Sequence, residues 1–144
     1  MDCRSICSSI RRRCPKRPRS RAHPDVQIVL NHAGMFVGRH SPAGYRAWRN
    51  GLRELAACPN VAVKISGLAM FDHCRTVESL RPYVLETIDA FGVERAMFAS
   101  NFPVDRLFAT YDALWRAYAA IVAGMSDAEQ RLLFGGNAER IYRI

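Results

Sequence analysis

The chain carries the stretch Val26-Gln27-Ile28-Val29-Leu30-Asn31-His32, in which an apolar, largely β-branched run ends in two polar side chains. Pro24 and Asp25 precede it, and a loop rich in glycine and proline follows from Gly34 to Gly44. A short apolar run bounded by turn residues is typical of a strand that is buried on both faces. We therefore predict a first strand over residues 26–30, with His32 at its carboxyl end.

Two further apolar runs follow later in the chain. Residues 61–65 are apolar apart from Lys64 and end in Ser66-Gly67, and residues 96–99 end in Ser100-Asn101-Phe102-Pro103. Both have the length and composition of buried strands. The sequence thus predicts three strands, each of which ends in polar or turn-forming residues.

Helices are predicted between and after the strands, because apolar residues recur there at three- and four-residue spacing. They cover about 45–58, 76–92, 110–124 and 126–135. Thr76, Thr110 and a Ser126-Glu129 capping box mark three starts. The predicted inward residues are Leu80, Val84, Leu85, Ile88 and Phe91 on the second helix and Leu114, Tyr118, Ile121 and Val122 on the third.

Two positions in these helices need a special placement. Pro82 fits the second helix only in its first turn, or if the helix starts near Arg81. Asn137 is predicted to cap a final set of turns through Tyr142. Alternating strands and helices of this kind predict a parallel sheet covered by helices, with His32, Ser66 and Asn101 at one edge of that sheet.

Basic residues are concentrated in residues 1–22. This segment holds eight lysines or arginines and one acid, a net charge of +7, so the formal charge of +8 leaves +1 for the other 122 residues. We therefore expect no nucleic-acid partner for the folded part. The segment has too few apolar residues to fold and is predicted to be disordered. Its composition leaves open a transit peptide, a nucleic-acid-binding arm, or a stretch without function that lies outside the real coding sequence.

The five cysteines predict no disulfide framework. Three lie in the basic segment, and Cys58 and Cys74 belong to no C-x-x-C pair, which favours reduced thiols in a cytoplasmic protein. No run of about 18 apolar residues is present, so we expect no membrane span. Residues 23–144 are predicted to form one domain, since 49% of the chain is hydrophobic.

Four motifs, in this order, resemble the amidohydrolase-related proteins, a family that includes sugar and pyrone lactonases. They are Asn31-His32-Ala33-Gly34, Val63-Lys64-Ile65-Ser66-Gly67-Leu68, Ser100-Asn101-Phe102-Pro103-Val104-Asp105 and Gly135-Gly136-Asn137-Ala138-Glu139-Arg140-Ile141-Tyr142. The resemblance covers residues 22–144 and implies an α/β fold, the (β/α)8 TIM barrel, with the first three motifs at the ends of its last three strands and the fourth motif at the end of the family's chains. A whole barrel needs about 250 residues. We therefore predict a partial barrel of three strand-helix units.

The resemblance implies a hydrolase in which water attacks the carbonyl of a lactone or a similar small molecule. The family's His-x-His pair on its first strand is absent from this sequence. By resemblance, His32 would ligate a metal or donate a hydrogen bond to the substrate carbonyl. The alternative is a histidine that caps a strand end through a backbone hydrogen bond.

Asn101 stands where many relatives carry an aspartate that binds metal and activates water. An amide cannot accept a proton, so Asn101 can orient water or substrate but cannot be the base. Together with the missing His-x-His pair, it counts against a divalent metal such as zinc. Asp105 is the candidate for the missing carboxylate, and its alternative is a solvated loop residue paired with Arg106.

Lys64 and Ser66 are predicted to help bind the substrate. Lys64 alternates away from Val63 and Ile65, and a buried ammonium needs a partner. It would contact a carboxylate or lactone oxygen in an intact barrel, or be a structural lysine with a protein partner. His40, His73 and Cys74 lie in predicted loops and are expected to be surface residues.

Three strands leave two open sheet edges, so we expect this chain alone to be incomplete as an enzyme and open to self-association. Either the chain is truncated, which we favour, or another chain completes the sheet. The competing class is a non-enzymatic α/β scaffold whose basic arm binds nucleic acid or an acidic surface.

Overall fold

The structure is a computed structural model that describes residues 25–36, 38, 41–71 and 76–144. The predictions for residues 1–22, His40, His73 and Cys74 lie outside the described residues. Within those ranges, no helix has the length and hydrophobicity needed to cross a membrane. Cys58 is a buried thiol.

Three parallel strands form one sheet in sequence order. β1 (Ile28–Leu30) pairs with β2 (Val61–Ile65), and β2 pairs with β3 (Ala96–Phe98). The first strand starts two residues later than predicted, because its ladder begins where Ile28 pairs with Val61. Among the described strands, β1 and β3 are each paired on one side only, so the sheet has two open edges.

Five helices follow the strands in the described part of the chain, with α2 packed between α1 and α3. They are α1 (Pro42–Ala56), α2 (Val77–Phe91), α3 (Tyr111–Ile121), α4 (Asp127–Arg131) and α5 (Asn137–Tyr142). The side chains of Thr76, Thr110 and Ser126 cap α2, α3 and α4 as predicted. A π-helical turn, Leu132–Gly136, joins α4 to α5.

The start of α1 lies three residues earlier than predicted. The hydroxyl oxygen of Ser41 accepts a hydrogen bond from the backbone N–H of Gly44 at 2.9 Å. Pro42 takes the first helical position, where the missing N–H of proline costs no hydrogen bond. The last residues of the predicted loop therefore begin the helix.

Two predictions for α2 were wrong. The Thr76–Ser79 capping box makes Val77 the first helical residue, so Pro82 is the sixth and lies beyond the first turn. Leu85 is 36% exposed, and Thr87 is buried instead. The buried stripe keeps a spacing of three or four residues, and Leu85, directly after Val84, is turned by about 100° away from it.

Asn137 does not cap a helix, contrary to the prediction. Its backbone angles are helical, φ −70° and ψ −37°, because the chain continues from the π-helical turn directly into α5. Its buried side-chain amide donates to the carbonyl oxygens of Val93 at 2.6 Å and Ala96 at 2.8 Å. Asn137 therefore ties the last helix to the amino end of β3.

We expect Asn137→Ala to lower the free energy of unfolding by about 1–3 kcal/mol, because it leaves buried carbonyl groups without their donor. Urea denaturation of the full chain measures the change. Asn60→Ala is the matched control, since the Asn60 amide donates to the Val26 carbonyl in an exposed setting. Equal losses in the two variants would contradict the role assigned to Asn137.

The two faces of β2 have different surroundings. Val61, Val63 and Ile65 belong to the hydrophobic core that the helices cover. Ala62 and Lys64 alternate to the opposite face, because successive side chains of a strand point to opposite sides. In a barrel, that opposite face is the interior, and it leads up to the ends of the strands.

Candidate active site at the strand ends

Each strand is followed by a residue with left-handed backbone angles. His32 has φ 55°, Gly67 has φ 62° and Asn101 has φ 56°. Glycine adopts this region freely, and histidine and asparagine do so more often than most residues. Non-glycine residues held there cluster at functional sites. Because the strands are parallel, these three turns lie at one edge of the sheet.

His32 and Ser66 connect the ends of two neighbouring strands. The Nδ1 atom of His32 lies 2.9 Å from the hydroxyl oxygen of Ser66, although the residues are 34 positions apart. This contact joins two side chains, which differs from the strand-capping alternative for His32. A Cβ atom at Gly67 would lie 2.9 Å from Nδ1 of His32, so glycine is what lets the imidazole lie against β2.

The surroundings of His32 favour its neutral form. Burial lowers the pKa of His32 below its usual value, and the positive charge of Lys64 lowers it further. The carboxylate of Asp105 acts in the opposite direction, as the weakest of the three causes. At pH 7 the ring is therefore neutral and carries one N–H.

The direction of the hydrogen bond with Ser66 decides which ring nitrogen of His32 carries the proton, and this decides what Nε2 can do chemically. If Nδ1 accepts a hydrogen bond from the serine hydroxyl, Nε2 carries the proton and can donate to a carbonyl oxygen. If Nδ1 donates instead, Nε2 presents a lone pair that suits a metal ion. Ser66 thus sits where it can set the tautomer of His32.

Lys64 lies one layer below the His32–Ser66 pair on the inward face of β2. Residues 64 and 66 point to the same side and are about 6.6 Å apart along the strand. Lys64 is partly buried, and its ammonium group lies 5.8 Å from the centre of the Tyr142 ring. A positive charge therefore stands beside the site, next to an aromatic face that stabilises it.

Asn101 and Asp105 contact each other directly. The Nδ2 atom of Asn101 donates to Oδ1 of Asp105 at 3.0 Å. Asp105 is 1% exposed, so the solvated alternative for this residue was wrong. The 3₁₀ turn Val104–Leu107 buries the carboxylate, and Arg106 is exposed.

Two residues of this region, Gly67 and Tyr118, were not predicted as site residues from the sequence. Gly67 makes room for His32, and the only local sign was a glycine directly after a strand. Tyr118 was predicted as a core residue of α3, and its ring stacks on Phe98 with centroids 4.4 Å apart. Burial raises the pKa of the Tyr118 hydroxyl, and the negative charge of Asp105 adds to the rise.

The donor atoms at the strand ends do not make up a zinc site by themselves. In the described ranges, no three His, Cys, Asp or Glu side chains group as metal ligands would. His32 offers one suitable nitrogen, while Ser66 and Asn101 offer a hydroxyl and an amide, which are not the usual zinc ligands.

We expect Lys64→Met to raise the pKa of His32, because it removes a positive charge that disfavours the imidazolium form. An NMR titration of the His32 ring in the full chain measures the shift. Arg106→Met, which removes an exposed cation, is the control and should leave the titration of His32 unchanged. An unchanged His32 pKa in Lys64→Met would contradict the placement of Lys64.

The same lowered pKa predicts how stability depends on pH. His32 binds a proton less readily in the folded state than in the unfolded chain, whose histidine pKa is about 6.5. Its contribution to the free energy of unfolding therefore falls as the pH drops below about 6.5, and is retained above it. The urea midpoint of the wild type should therefore fall relative to that of His32→Asn as the pH drops through this range.

Similarity to known proteins is consistent along most of the chain. A family model described as amidohydrolase matches residues 18–144. The protein y4mH of Sinorhizobium fredii is 54% identical over 125 residues, which are 87% of this chain and 41% of that protein. An L-fucono-1,5-lactonase of Burkholderia multivorans is 34% identical over 145 residues, with 84% of this chain and 48% of the lactonase covered.

A solved structure shows the same extent of similarity. The crystal structure of an amidohydrolase from Burkholderia multivorans with bound zinc has 31% sequence identity and a TM-score of 0.83 to this chain. The match covers 98% of this chain and 50% of that structure. The chain thus spans about half the length of the relatives that it matches.

Proposed function

The chain belongs to the amidohydrolase family and forms part of a (β/α)8 barrel, and from this we propose that it supplies the carbonyl-activating edge of a lactone hydrolase. The observation that carries the proposal is the 2.9 Å contact between His32 and Ser66 across two neighbouring strand ends. The relative named as an L-fucono-1,5-lactonase supports a lactone of a sugar acid as the substrate.

His32 would polarise the lactone carbonyl through Nε2–H, with Nδ1 accepting a hydrogen bond from the Ser66 hydroxyl. As water attacks, the carbonyl oxygen gains negative charge, and a fixed donor stabilises that charge more than it stabilises the substrate. The bond from the carbonyl carbon to the ring oxygen then breaks. The ring oxygen takes the proton that a base has removed from the attacking water, and the product is an open-chain hydroxy acid.

Lys64 would stabilise the same negative charge from the layer below. Lys64 is partly buried as a residue, and its ammonium group belongs to none of the ion pairs formed among the described residues. An oxyanion or a substrate carboxylate near His32 would therefore meet a positive charge that water screens only in part. Ser66 would contribute by holding the tautomer of His32.

The proton of the attacking water must go to a base. Asn101 cannot take it, because an amide is not a base at neutral pH. We propose that the base lies on barrel strands outside residues 1–144, whether these belong to a longer form of this chain or to another polypeptide, and that these strands pair with the open edges of β1 and β3. In their absence, the same edges would promote self-association.

Complementation tests this proposal. The full 144-residue chain is co-expressed with the part of y4mH that lies outside the matched region, since 54% identity favours compatible surfaces. We expect the two polypeptides to co-purify as one complex and to hydrolyse L-fucono-1,5-lactone or a related sugar lactone. Hydrolysis is followed by acid release.

Each polypeptide purified alone is the control, and neither should hydrolyse the lactones. Failure to form a complex would contradict the completion of the barrel by another chain. A complex that leaves every sugar lactone of the panel intact would contradict the lactonase proposal. The alternative, an α/β scaffold whose basic arm binds nucleic acid, depends on residues 1–22 and stays a prediction.

A further inference from the structure

A tight turn after β3 holds Asn101 and Asp105 at its two ends. The backbone N–H of Asp105 donates to the carbonyl of Asn101 at 3.2 Å, and the 3₁₀ turn Val104–Leu107 follows. Asp105 is 1% exposed, whereas Asn101 is partly exposed. The carboxylate therefore lies behind the amide, and Asn101 is the member of the pair that a substrate can reach.

We propose that Asp105 is a positioning residue that fixes the orientation of the Asn101 amide. A carboxylate only accepts hydrogen bonds, so the amino group of Asn101 must face Oδ1 of Asp105, at the observed 3.0 Å. The carbonyl oxygen of Asn101 then points away from Asp105. Asn101 presents an acceptor, and not a donor, at the strand ends.

This inference rests on the proposed lactonase function and narrows the class of lactones that the site would bind. His32 and Asn101 each follow a strand of one parallel sheet and therefore lie at the same edge of it. A neutral acceptor at the same edge as the donor of His32 matches a substrate that carries a hydroxyl group next to its carbonyl, or the attacking water itself. Asp105 would act on the substrate through Asn101.

The competing role for Asp105 is that of the base. A base must come within hydrogen-bond reach of the water from which it takes a proton. Oδ1 of Asp105 is occupied by the Asn101 amide, and Oδ2 is buried. Both oxygens are therefore withdrawn from the strand ends, which favours a positioning role.

A double-mutant cycle in the assembled barrel separates the two roles. We expect Asn101→Ala and Asp105→Ala each to lower kcat/KM by about tenfold, the effect of one lost hydrogen bond. The double variant should lose no more than either single variant, because Asp105 reaches the substrate through Asn101. Asp105→Asn, which keeps an acceptor of the same shape, should restore part of the activity.

The result that would overturn the proposal is an Asp105→Ala loss that persists in the Asn101→Ala background. A base contributes about 10²–10⁴-fold to the rate, so removing it would lower kcat/KM by far more than tenfold, whether or not Asn101 is present. Circular dichroism shows whether each variant is folded. If Asp105→Ala does not fold, Asp105→Asn takes its place in the double-mutant cycle.

The orientation of the amide is also measured without any activity, on the full 144-residue chain. The side-chain amide signals of Asn101, identified by their loss in Asn101→Ala, should exchange with solvent at least about tenfold faster in Asp105→Ala. Asp112→Ala, which removes an exposed carboxylate paired with Arg116, should leave that exchange unchanged. Unaltered exchange in Asp105→Ala would overturn the inference, even if lactone hydrolysis were established. If exchange is faster in Asp105→Ala but the assembled barrel hydrolyses no lactone, the orientation of the amide is upheld and only the lactonase function is refuted.

Discussion

His32→Asn is expected to lower kcat/KM of the assembled barrel by about 10²–10³-fold, the usual contribution of a fixed hydrogen-bond donor to the charge that develops on a carbonyl oxygen. Asparagine reaches the position of Nδ1 and can keep the contact with Ser66, now 2.9 Å from that atom, but it has no atom at the place of Nε2. It also tolerates the left-handed φ of 55° at this position. The variant therefore removes the reacting atom with little disturbance of the backbone.

The measurement is the initial rate of lactone opening at substrate concentrations below KM. Ser66→Ala is the companion variant, because it removes the partner that sets the tautomer but keeps the imidazole. It should lose less activity than His32→Asn. Wild-type activity in His32→Asn would rule out His32 as the carbonyl donor, provided that the complex still forms.

Gly67→Ala is expected to lower kcat/KM by about 10²-fold, the effect of moving a reacting group by about 1 Å. The new Cβ atom would lie 2.9 Å from Nδ1 of His32, which is closer than van der Waals contact allows. The Cε atom of Met70, also at 2.9 Å, can swing away because it ends a flexible chain. The imidazole ring has to move, and with it the contact to Ser66 is lost.

Gly92→Ala separates this contact from backbone strain. Gly92 also has a positive φ, 76°, but a Cβ atom there would meet nothing within 4 Å. Both variants should lower the urea midpoint, because alanine is strained at positive φ. Only Gly67→Ala should lower activity at a temperature where both are folded. Equal loss of activity in the two variants would show that the effect comes from stability alone.

The strand-helix order and the strand ends were predictable because their signals are local. Apolar runs and capping residues act within a few positions, so the strands, the Thr76, Thr110 and Ser126 caps and the shared edge of His32, Ser66 and Asn101 followed from spacing. The starts of β1 and α1 were less accurate, because pairing and the Ser41 cap set these limits.

The errors concern residues whose role depends on a distant partner. Asn137 binds carbonyl groups more than 40 positions away, so its local context as a helix start was misleading. Asp105 looked like a loop residue, yet packing of the 3₁₀ turn buries it. Gly67 matters only because His32 arrives from another strand. No spacing rule contains such contacts, and the roles of the site residues themselves stay predictions.

The residues with left-handed backbone angles at the strand ends recur at a regular spacing along the chain. His32 and Gly67 are 35 positions apart, and Gly67 and Asn101 are 34 apart. One strand, one helix and two loops consume that length, so the conformation returns at nearly constant intervals. In a polypeptide that completes this barrel, strand ends should therefore be found at multiples of about 35 residues, each marked by a glycine, asparagine, aspartate or histidine directly after a short apolar run. Such a polypeptide could therefore be recognised by the spacing of its strand-end residues, even where the rest of its sequence has diverged.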